Sequence, residues 1–390
     1  MISVAEAHAA LSTLVSPLET EFIPLREAAG RVLAQNVTAT RTQPPFAASS
    51  MDGYALRGAE VEPDAMFKVI GEAAAGHRFE GTLRAGQAVR IFTGAPIPDG
   101  ADFVVIQEDT TRRGDLITLG HNIGDKDNIR PAGGDFTIGQ SVNAPLRLRP
   151  ADIALLAAMN ISHVPVTRKP LVAILATGDE LVQPGESPGP DQIVASNSFG
   201  LAAMLENAGA RVHLLPIARD TAASLKQAFA LARGADLMVT IGGASVGDHD
   251  LVGPIAAELG MEQTFYKVAM RPGKPLMAGR MGDMAMLGLP GNPVSAMVCG
   301  HVFVLPVLNK LLGLGSEPAQ VFKAPLAVDL PANGARAHYM RAQIIKGKLH
   351  PDTRQDSSLL SVLASADALL VRPVDDPARK QGEDAEYLRL

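Results

Sequence analysis

The residues best suited to chemistry lie in two neighbouring loops. The first is Gly242-Gly243-Ala244-Ser245-Val246-Gly247-Asp248-His249-Asp250, which follows the apolar run Leu237-Met238-Val239-Thr240-Ile241. An apolar run, a glycine-rich turn and then a helical pattern predict a strand–loop–helix unit of an α/β domain. Glycines let the backbone approach an anion, and the N–H groups that open the next helix point at it. Ser245, Asp248 and Asp250 offer hydroxyl and carboxylate oxygens, which suit a hydrated divalent cation better than direct phosphate contact. The second loop is Lys267-Val268-Ala269-Met270-Arg271-Pro272-Gly273-Lys274-Pro275. It sets Lys267, Arg271 and Lys274 on a strand end and a rigid Pro/Gly turn, so these are fixed donors for an oxyanion. Acids on one loop and bases on the next predict a site for a metal-bridged, phosphate-like substrate.

Other polar residues fall after further predicted strands. Thr177-Gly178-Asp179-Glu180-Leu181 follows one apolar run, and Asn197 and Asp220 lie beyond others. A parallel sheet brings its carboxyl ends to one edge, where open α/β sheets bind ligands. Glu180, Asp220, Asp248 and Asp250 would then form the oxygen-rich group that Mg²⁺ prefers. Each motif alone is weak: Asp before Thr is an ordinary helix cap, and Gly242-Gly243 matches neither the dinucleotide fingerprint nor a P-loop. Leu289-Pro290-Gly291-Asn292 ends at Pro293, and Asn292 as cap with Pro293 at the first helical position predicts a helix start able to hold an anion. Read from composition, Asp52-Gly53 and the stretch from Thr93 to Asp102 are β-turns.

These residues need positioning elements. Helices are expected over 4–18 with a Ser3–Glu6 capping box, over 25–37, and over 149–159, the last packing beside the first. The stretch 46–135 reads as a β-rich module with strands at 67–70, 88–92, 103–107 and 116–119. From Lys169 the pattern alternates strand and helix: strands at 171–176, 212–218 and 237–241, helices at 198–208 and 222–233, each closed by glycine, and a long helix over 293–312. Alternating runs at 321–330, 337–345, 359–363, 368–371 and 386–390 predict a small β domain carrying Arg336, Arg341, Ser357, Ser358 and Ser361.

Bulk properties narrow the function classes. The chain has 390 residues, 47% of them hydrophobic and 19% charged, enough for several cores. A net charge of −6 leaves no basic surplus for nucleic acid. The single cysteine, Cys299, excludes a disulfide framework or thiolate metal site. Histidines show no paired spacing for zinc, and no Gly-x-Ser-x-Gly elbow occurs. The amino-terminal residues lack a signal-peptide pattern, and the apolar run 294–308, broken by His301 and Pro306, is expected to be too short to cross a bilayer. A cytoplasmic protein without membrane or nucleic-acid partners is expected.

Taken together, Ser50-Met51-Asp52-Gly53-Tyr54-Ala55, Thr93-Gly94-Ala95 with Gly100-Ala101-Asp102, Thr177-Gly178-Asp179-Glu180-Leu181, Gly242-Gly243-Ala244-Ser245-Val246-Gly247-Asp248, Arg271-Pro272-Gly273-Lys274-Pro275 and Leu289-Pro290-Gly291-Asn292-Pro293 resemble the molybdopterin molybdenumtransferase family of bacterial MoeA and the gephyrin E domain. The resemblance spans nearly the whole chain, in order. It implies a multidomain α/β fold: a helical linker domain (1–40 and 136–166), an inserted β-rich domain (41–135), a MogA-like doubly wound α/β domain (167–315) and a C-terminal β-barrel (316–390). It implies that adenylylated molybdopterin and molybdate give molybdenum cofactor and AMP, with Mg²⁺, in a homodimer whose site lies between subunits.

The same resemblance assigns roles. Glu180, Asp220 and Asp250, with Asp248 beside them, would hold metal and position the pyrophosphate. Gly178, Asp179, Asn197, Gly242, Gly243, Ser245 and Gly247 would line the phosphate or pterin pocket. Asp52 and Thr93 would reach the site from the other subunit. Lys267, Arg271 and Lys274, with Pro275, would bind molybdate, and Ser295 with the Asn292–Pro293 helix start would complete the oxyanion pocket; Arg341 and Ser357 would contribute from the C-terminal domain. Two departures stand out. Arg271 occupies a position that is often lysine, and Arg354-Gln355-Asp356-Ser357-Ser358 lacks the glycine expected beside its serines. Within this resemblance a molybdopterin adenylyltransferase is a competing reading, disfavoured because that enzyme needs only the α/β domain. A non-catalytic pterin-binding scaffold is disfavoured by the retained Asp52, Glu180, Asp220 and Asp250. The adenylyltransferase is also an expected partner.

Overall fold

The computed structural model describes residues 1–243 and 251–390. Its centre is a six-stranded sheet in the order Arg211–Leu214, Leu171–Ala176, Leu237–Ile241, Met284–Leu289, Met277–Met281, Glu262–Tyr266. The first four strands are parallel, and Met277–Met281 runs antiparallel to its neighbours. Strand Leu171–Ala176 is apolar throughout because both of its faces are covered. Alternation divides its side chains: Val172 and Ile174 join one hydrophobic cluster with Leu201, Leu205 and Phe303, while Ala173 and Leu175 join another with Leu225, Phe229 and Ile255. Helices Asn197–Asn207 and Pro293–Leu311 therefore cover one face, and Ala222–Leu231 and Val252–Glu258 the other. This is a doubly wound arrangement, and it leaves the carboxyl ends of the central strands open.

The amino-terminal helix, Val4–Leu14, has the expected capping box, with Ser3 and Glu6 exchanging side-chain-to-backbone bonds at 3.1 and 2.7 Å. Ala7, Leu11 and Leu14 are buried against the α/β domain. Its carboxyl-terminal carbonyls are met by cations, Arg280 at Leu14 and Lys310 at Ser12. The helix expected over 25–37 does not form. A single turn, Leu25–Glu27, is followed by short strands Val32–Leu33 and Val37–Thr38. β-Branched Val32 and Val37 favour strands, and Val32–Leu33 finds partners in Leu146–Arg147 and His163–Thr167. Helix Pro150–Ala158 forms, but it packs on that four-stranded sheet through Leu156, in a cluster separate from Val4–Leu14. The two helices do not share the packing expected of them.

The β-rich module is a six-stranded sheet in the order Phe103–Ile106, Gly53–Leu56, Gln87–Ile91, Met66–Ala73, Leu116–Leu119, Thr110–Arg113. Gly53, read from composition as a turn residue, opens an interior strand whose residues are all buried. At the other end of the chain, Ala337–Ile345 pairs with Lys348–Pro351 and Ala368–Arg372, then Asp384–Arg389 and Phe322–Pro325 follow. A bridge between Leu326 and Leu349 brings the last strand back towards the first, closing the sheet on itself. The run expected as a strand over 359–363 is instead the helix Leu360–Ala364. The basic segment Met270–Arg271 adds to this sheet, parallel to Ala337–Ile345, and so ties the α/β domain to the carboxyl-terminal one.

Pro293–Leu311 is one 19-residue helical run, long and apolar enough by itself to cross a membrane, contrary to the expectation that it is too short. Seventy-two per cent of its most apolar 18-residue window is buried, which makes it a core helix of this domain.

Candidate active site

A cleft of about 670 Å³ opens at the carboxyl ends of the central strands. Its floor is built where backbones meet. Gly178 N–H donates to the Ala218 carbonyl at 3.1 Å, and Gly242 N–H to the Leu289 carbonyl at 3.1 Å. The floor tolerates few side chains: a Cβ on Gly178 would sit 2.4 Å from Glu180 Oε2, and one on Gly243, whose φ is +62°, 2.2 Å from Val252 Cγ2. Glu180 and Asp220 line one wall, Asn197, Asn292 and Pro293 another, and Pro275 and Ser358 close the cleft from the neighbouring segments.

The walls are cross-linked. Asn197 Nδ2 donates to the Gly291 carbonyl at 2.7 Å, fixing the loop ahead of Pro293. Arg219 Nη1 donates to the Asp179 carbonyl at 2.7 Å, and Asp220 N–H to Asp179 Oδ1 at 3.2 Å. Asn292 does not cap its helix; its Nδ2 donates to Ser357 Oγ at 3.1 Å. Val294 N–H, expected to be free for an anion, donates to the Ser357 carbonyl at 3.0 Å. Ser295 is buried beneath this helix start.

Several expected site residues lie elsewhere. Lys267, Arg271 and Lys274 are not among the residues lining the cleft, although Pro275 is. Lys267 holds a left-handed backbone, φ +71°, with its ammonium 4.9 Å from the Tyr266 ring centroid. Arg271 Nη2 donates to Asn333 Oδ1 at 3.1 Å. Burial lowers the Arg271 pKa, and Arg336 and Arg372 nearby add to the effect. Asp52 and Thr93 also lie away from the cleft, locked together: Thr93 N–H and Oγ1 both donate to Asp52 Oδ1, at 2.8 and 2.7 Å. Those two bonds hold the Asp52 carboxyl below its ordinary pKa.

Arg341 is wholly buried behind the 354–358 loop, where its Nη2 donates to the Asp356 carbonyl at 2.8 Å. Its Nε and Nη1 have no hydrogen-bond partner among the described residues. Ser245, Gly247, Asp248 and Asp250 lie outside the described residues. Among the described residues no three His, Cys, Asp or Glu side chains converge as a metal site. Two cleft carboxylates nevertheless fit Mg²⁺, which characteristically takes one or two carboxylates and completes its shell with water and substrate phosphate.

Sequence reasoning missed Arg219, Asn333 and the cleft position of Ser358. All three act through backbone atoms or distant segments, and only Arg219 carried a local signal, its place beside Asp220.

The chain matches three families in succession: the MoeA N-terminal region (domain I and II) over residues 2–160, a probable molybdopterin binding domain over 173–310, and the MoeA C-terminal region (domain IV) over 323–390. It is 37% identical to the molybdopterin molybdenumtransferase of a Nostoc species, covering 97% of this chain and 90% of that protein. It is 34% identical to the molybdopterin molybdenumtransferase of Bacillus subtilis, covering 95% and 90%. The crystal structure of the molybdopterin biosynthesis MoeA protein from Pyrococcus horikoshii superposes with a TM-score of 0.86 at 28% identity, covering all of both chains.

Proposed function

This chain belongs to the molybdopterin molybdenumtransferase family and acts in molybdenum cofactor biosynthesis, and on that premise we propose that it transfers molybdate to adenylylated molybdopterin with release of AMP, dependent on Mg²⁺. The observation that carries this reading is the cleft itself, which gathers Glu180, Asp220, Asn197 and Ser358 at the open end of a parallel sheet. A pterin and an anhydride need one deep cleft with both apolar and polar walls.

In this reading Glu180 and Asp220, with Asp248 and Asp250, hold Mg²⁺. Bound there, Mg²⁺ offsets the negative charge of the phosphoanhydride. Gly178, Gly242 and Gly243 keep side chains off the floor so that the anhydride reaches the backbone, and Asp179 holds the Asp220 turn against it. Asn197 and Asn292 orient the ligand at the helix start. Lys267, Arg271 and Lys274 attract molybdate and neutralise charge as the P–O bond to AMP breaks. No protein nucleophile is needed, since a molybdate oxygen or water attacks the anhydride. Ser357 and Ser358 contact the oxyanion, and Arg341 supports their loop from behind.

Thr93 is exposed and Asp52 half-buried, and both lie away from the cleft of their own chain, which supports a homodimer in which they complete the other copy's site. The test is to mix two inactive variants, Asp52→Asn and Glu180→Gln, under conditions that exchange subunits. Shared sites predict regained activity in the mixture, and a mixture as inactive as its parts would contradict a shared site. We further propose a cytoplasmic location, with the adenylyltransferase that makes the substrate as a transient partner.

A further inference from the structure

Asn333 lies in the loop that leads into strand Ala337–Ile345. Its backbone N–H donates to the Asp376 carbonyl at 2.8 Å, which anchors the residue. Its side-chain nitrogen faces three carbonyls: Pro373 at 2.6 Å, Arg336 at 2.9 Å and Arg372 at 3.3 Å. Carbonyl oxygens only accept, so the atom turned to them must be the NH₂ group. A flipped amide would set oxygen against three oxygens. The orientation of Asn333 is therefore dictated by its surroundings, and Oδ1 is left facing Arg271, whose Nη2 donates to it.

The charge around this contact is unusual. Arg336 and Arg372 both bear on Arg271 electrostatically. Arg372 is compensated by buried Asp376, whereas Arg271 and Arg336 have no ion-pair partner among the described residues. A carboxylate at 333 would cancel the charge of Arg271 and would also turn its second oxygen to the three carbonyls. A neutral amide holds the guanidinium and leaves the charge available. A lysine at 271 would be a point charge on a flexible stem, without the planar fork that one amide oxygen can orient.

We propose that Asn333 is a positioning residue that fixes the Arg271 guanidinium for an incoming tetrahedral oxyanion while leaving its positive charge unspent. The proposal deepens the functional reading above and rests on Arg271 being an oxyanion contact. The carboxyl-terminal domain thereby sets oxyanion affinity through a residue that need not touch the oxyanion.

The test measures molybdate affinity by calorimetry on the full chain for wild type, Asn333→Ala, Arg271→Ala and the double variant, with unfolding midpoints alongside. Losing one hydrogen bond to a charged group should weaken molybdate about tenfold in Asn333→Ala. Affinity for the adenylylated pterin should be unchanged, and adding Asn333→Ala to Arg271→Ala should cost nothing more. Asn333→Asp should weaken molybdate further than Asn333→Ala. Equal losses in both backgrounds would make Asn333 merely structural and overturn the proposal, as would full affinity in Asn333→Ala beside a loss in Arg271→Ala. Full affinity in Arg271→Ala would instead overturn the reading of Arg271 itself. If the alanine variant does not fold, Asn333→Ser, which keeps a donor for the carbonyls but falls short of Arg271, takes its place in the same cycle.

Discussion

Arg219 and Asp179 join the two acidic turns of the cleft: Arg219 Nη1 donates to the Asp179 carbonyl at 2.7 Å and lies 3.5 Å from the Leu181 carbonyl, so one guanidinium spans the backbone on both sides of Glu180. Asp220, next in sequence, returns a backbone bond to Asp179 Oδ1. The separation of Glu180 and Asp220 is thus set by a local clamp. Arg219→Ala should lower kcat about tenfold, the low end for a hydrogen bond from a charged group because the arginine is exposed. Arg219→Lys, which keeps charge but loses the fork, should recover only part. Steady-state kinetics check this, and an alanine variant with unchanged kcat would remove the clamp from the account.

Gly243 combines a left-handed backbone with no room, since its Cβ would collide with Val252 Cγ2. Gly234 has a similar φ, +87°, but open space around it. Gly234→Ala should therefore cost about 1 kcal/mol from backbone strain alone. Gly243→Ala should cost roughly 2–4 kcal/mol because Val252 must also move. Denaturant unfolding of the two variants compares them directly; equal costs would mean that the floor is looser than the contact implies.

Arg341 brings a buried charge into the protein with two guanidinium nitrogens unpaired among the described residues. Burial accordingly lowers its pKa, against the pull of Asp352 and Asp356. A buried charge of this kind is weak for stability, and an apolar replacement is often neutral or better. Arg341→Met should leave the unfolding free energy within about 1 kcal/mol of wild type while weakening molybdate binding. A loss of several kcal/mol with binding intact would show that the residue serves the fold alone.

Two histidines, His338 buried and His301 half-buried, contribute to the acid limb of stability. Burial holds His301 at a pKa of about 4. His338 falls to about 3, from burial first and then from Arg271, Arg341, Arg372 and Arg336. Both folded values lie below the unfolded value of about 6.5. Above that value both states are neutral and nothing is lost. As pH falls from 6.5 towards 4 the unfolded chain takes up protons that the folded chain refuses, so stability declines. His338→Gln should flatten the decline over that window, as read from unfolding midpoints at successive pH values; an unaltered slope would contradict the assignment.

How far the sequence could be read depended on where each residue finds its partners. Leu171–Ala176 and Leu237–Ile241 are apolar runs that declare a covered parallel strand, and Glu180 is legible because it follows the first of them, whereas Asp220 follows the largely exposed edge strand Arg211–Leu214. The stretch 25–37 misled because Val32, Leu33 and Val37 satisfy helical spacing locally, while Val32 and Leu33 pair with strands distant in sequence. The stretch 359–363 misled in the opposite sense, its run of leucines and serines forming the helix Leu360–Ala364. Asn292 looked like a helix cap by type and position, but Ser357 from the carboxyl-terminal domain competes for its side chain. Asn333 gave no signal at all, because its importance lies in three carbonyls that only the folded chain brings together.

The central claim is that Glu180 belongs to a site that couples molybdate transfer to AMP release. The direct measurement mixes the purified protein with adenylylated molybdopterin, Mg²⁺ and molybdate, and follows AMP together with reconstitution of a cofactor-free molybdoenzyme. Glu180→Gln, which keeps the side chain's size and removes its charge, is run in parallel. Such a role for Glu180 predicts molybdate-dependent AMP release and active cofactor from the wild type, with both lost in the variant. Tight binding of the adenylylated pterin without AMP release by the wild type would contradict it.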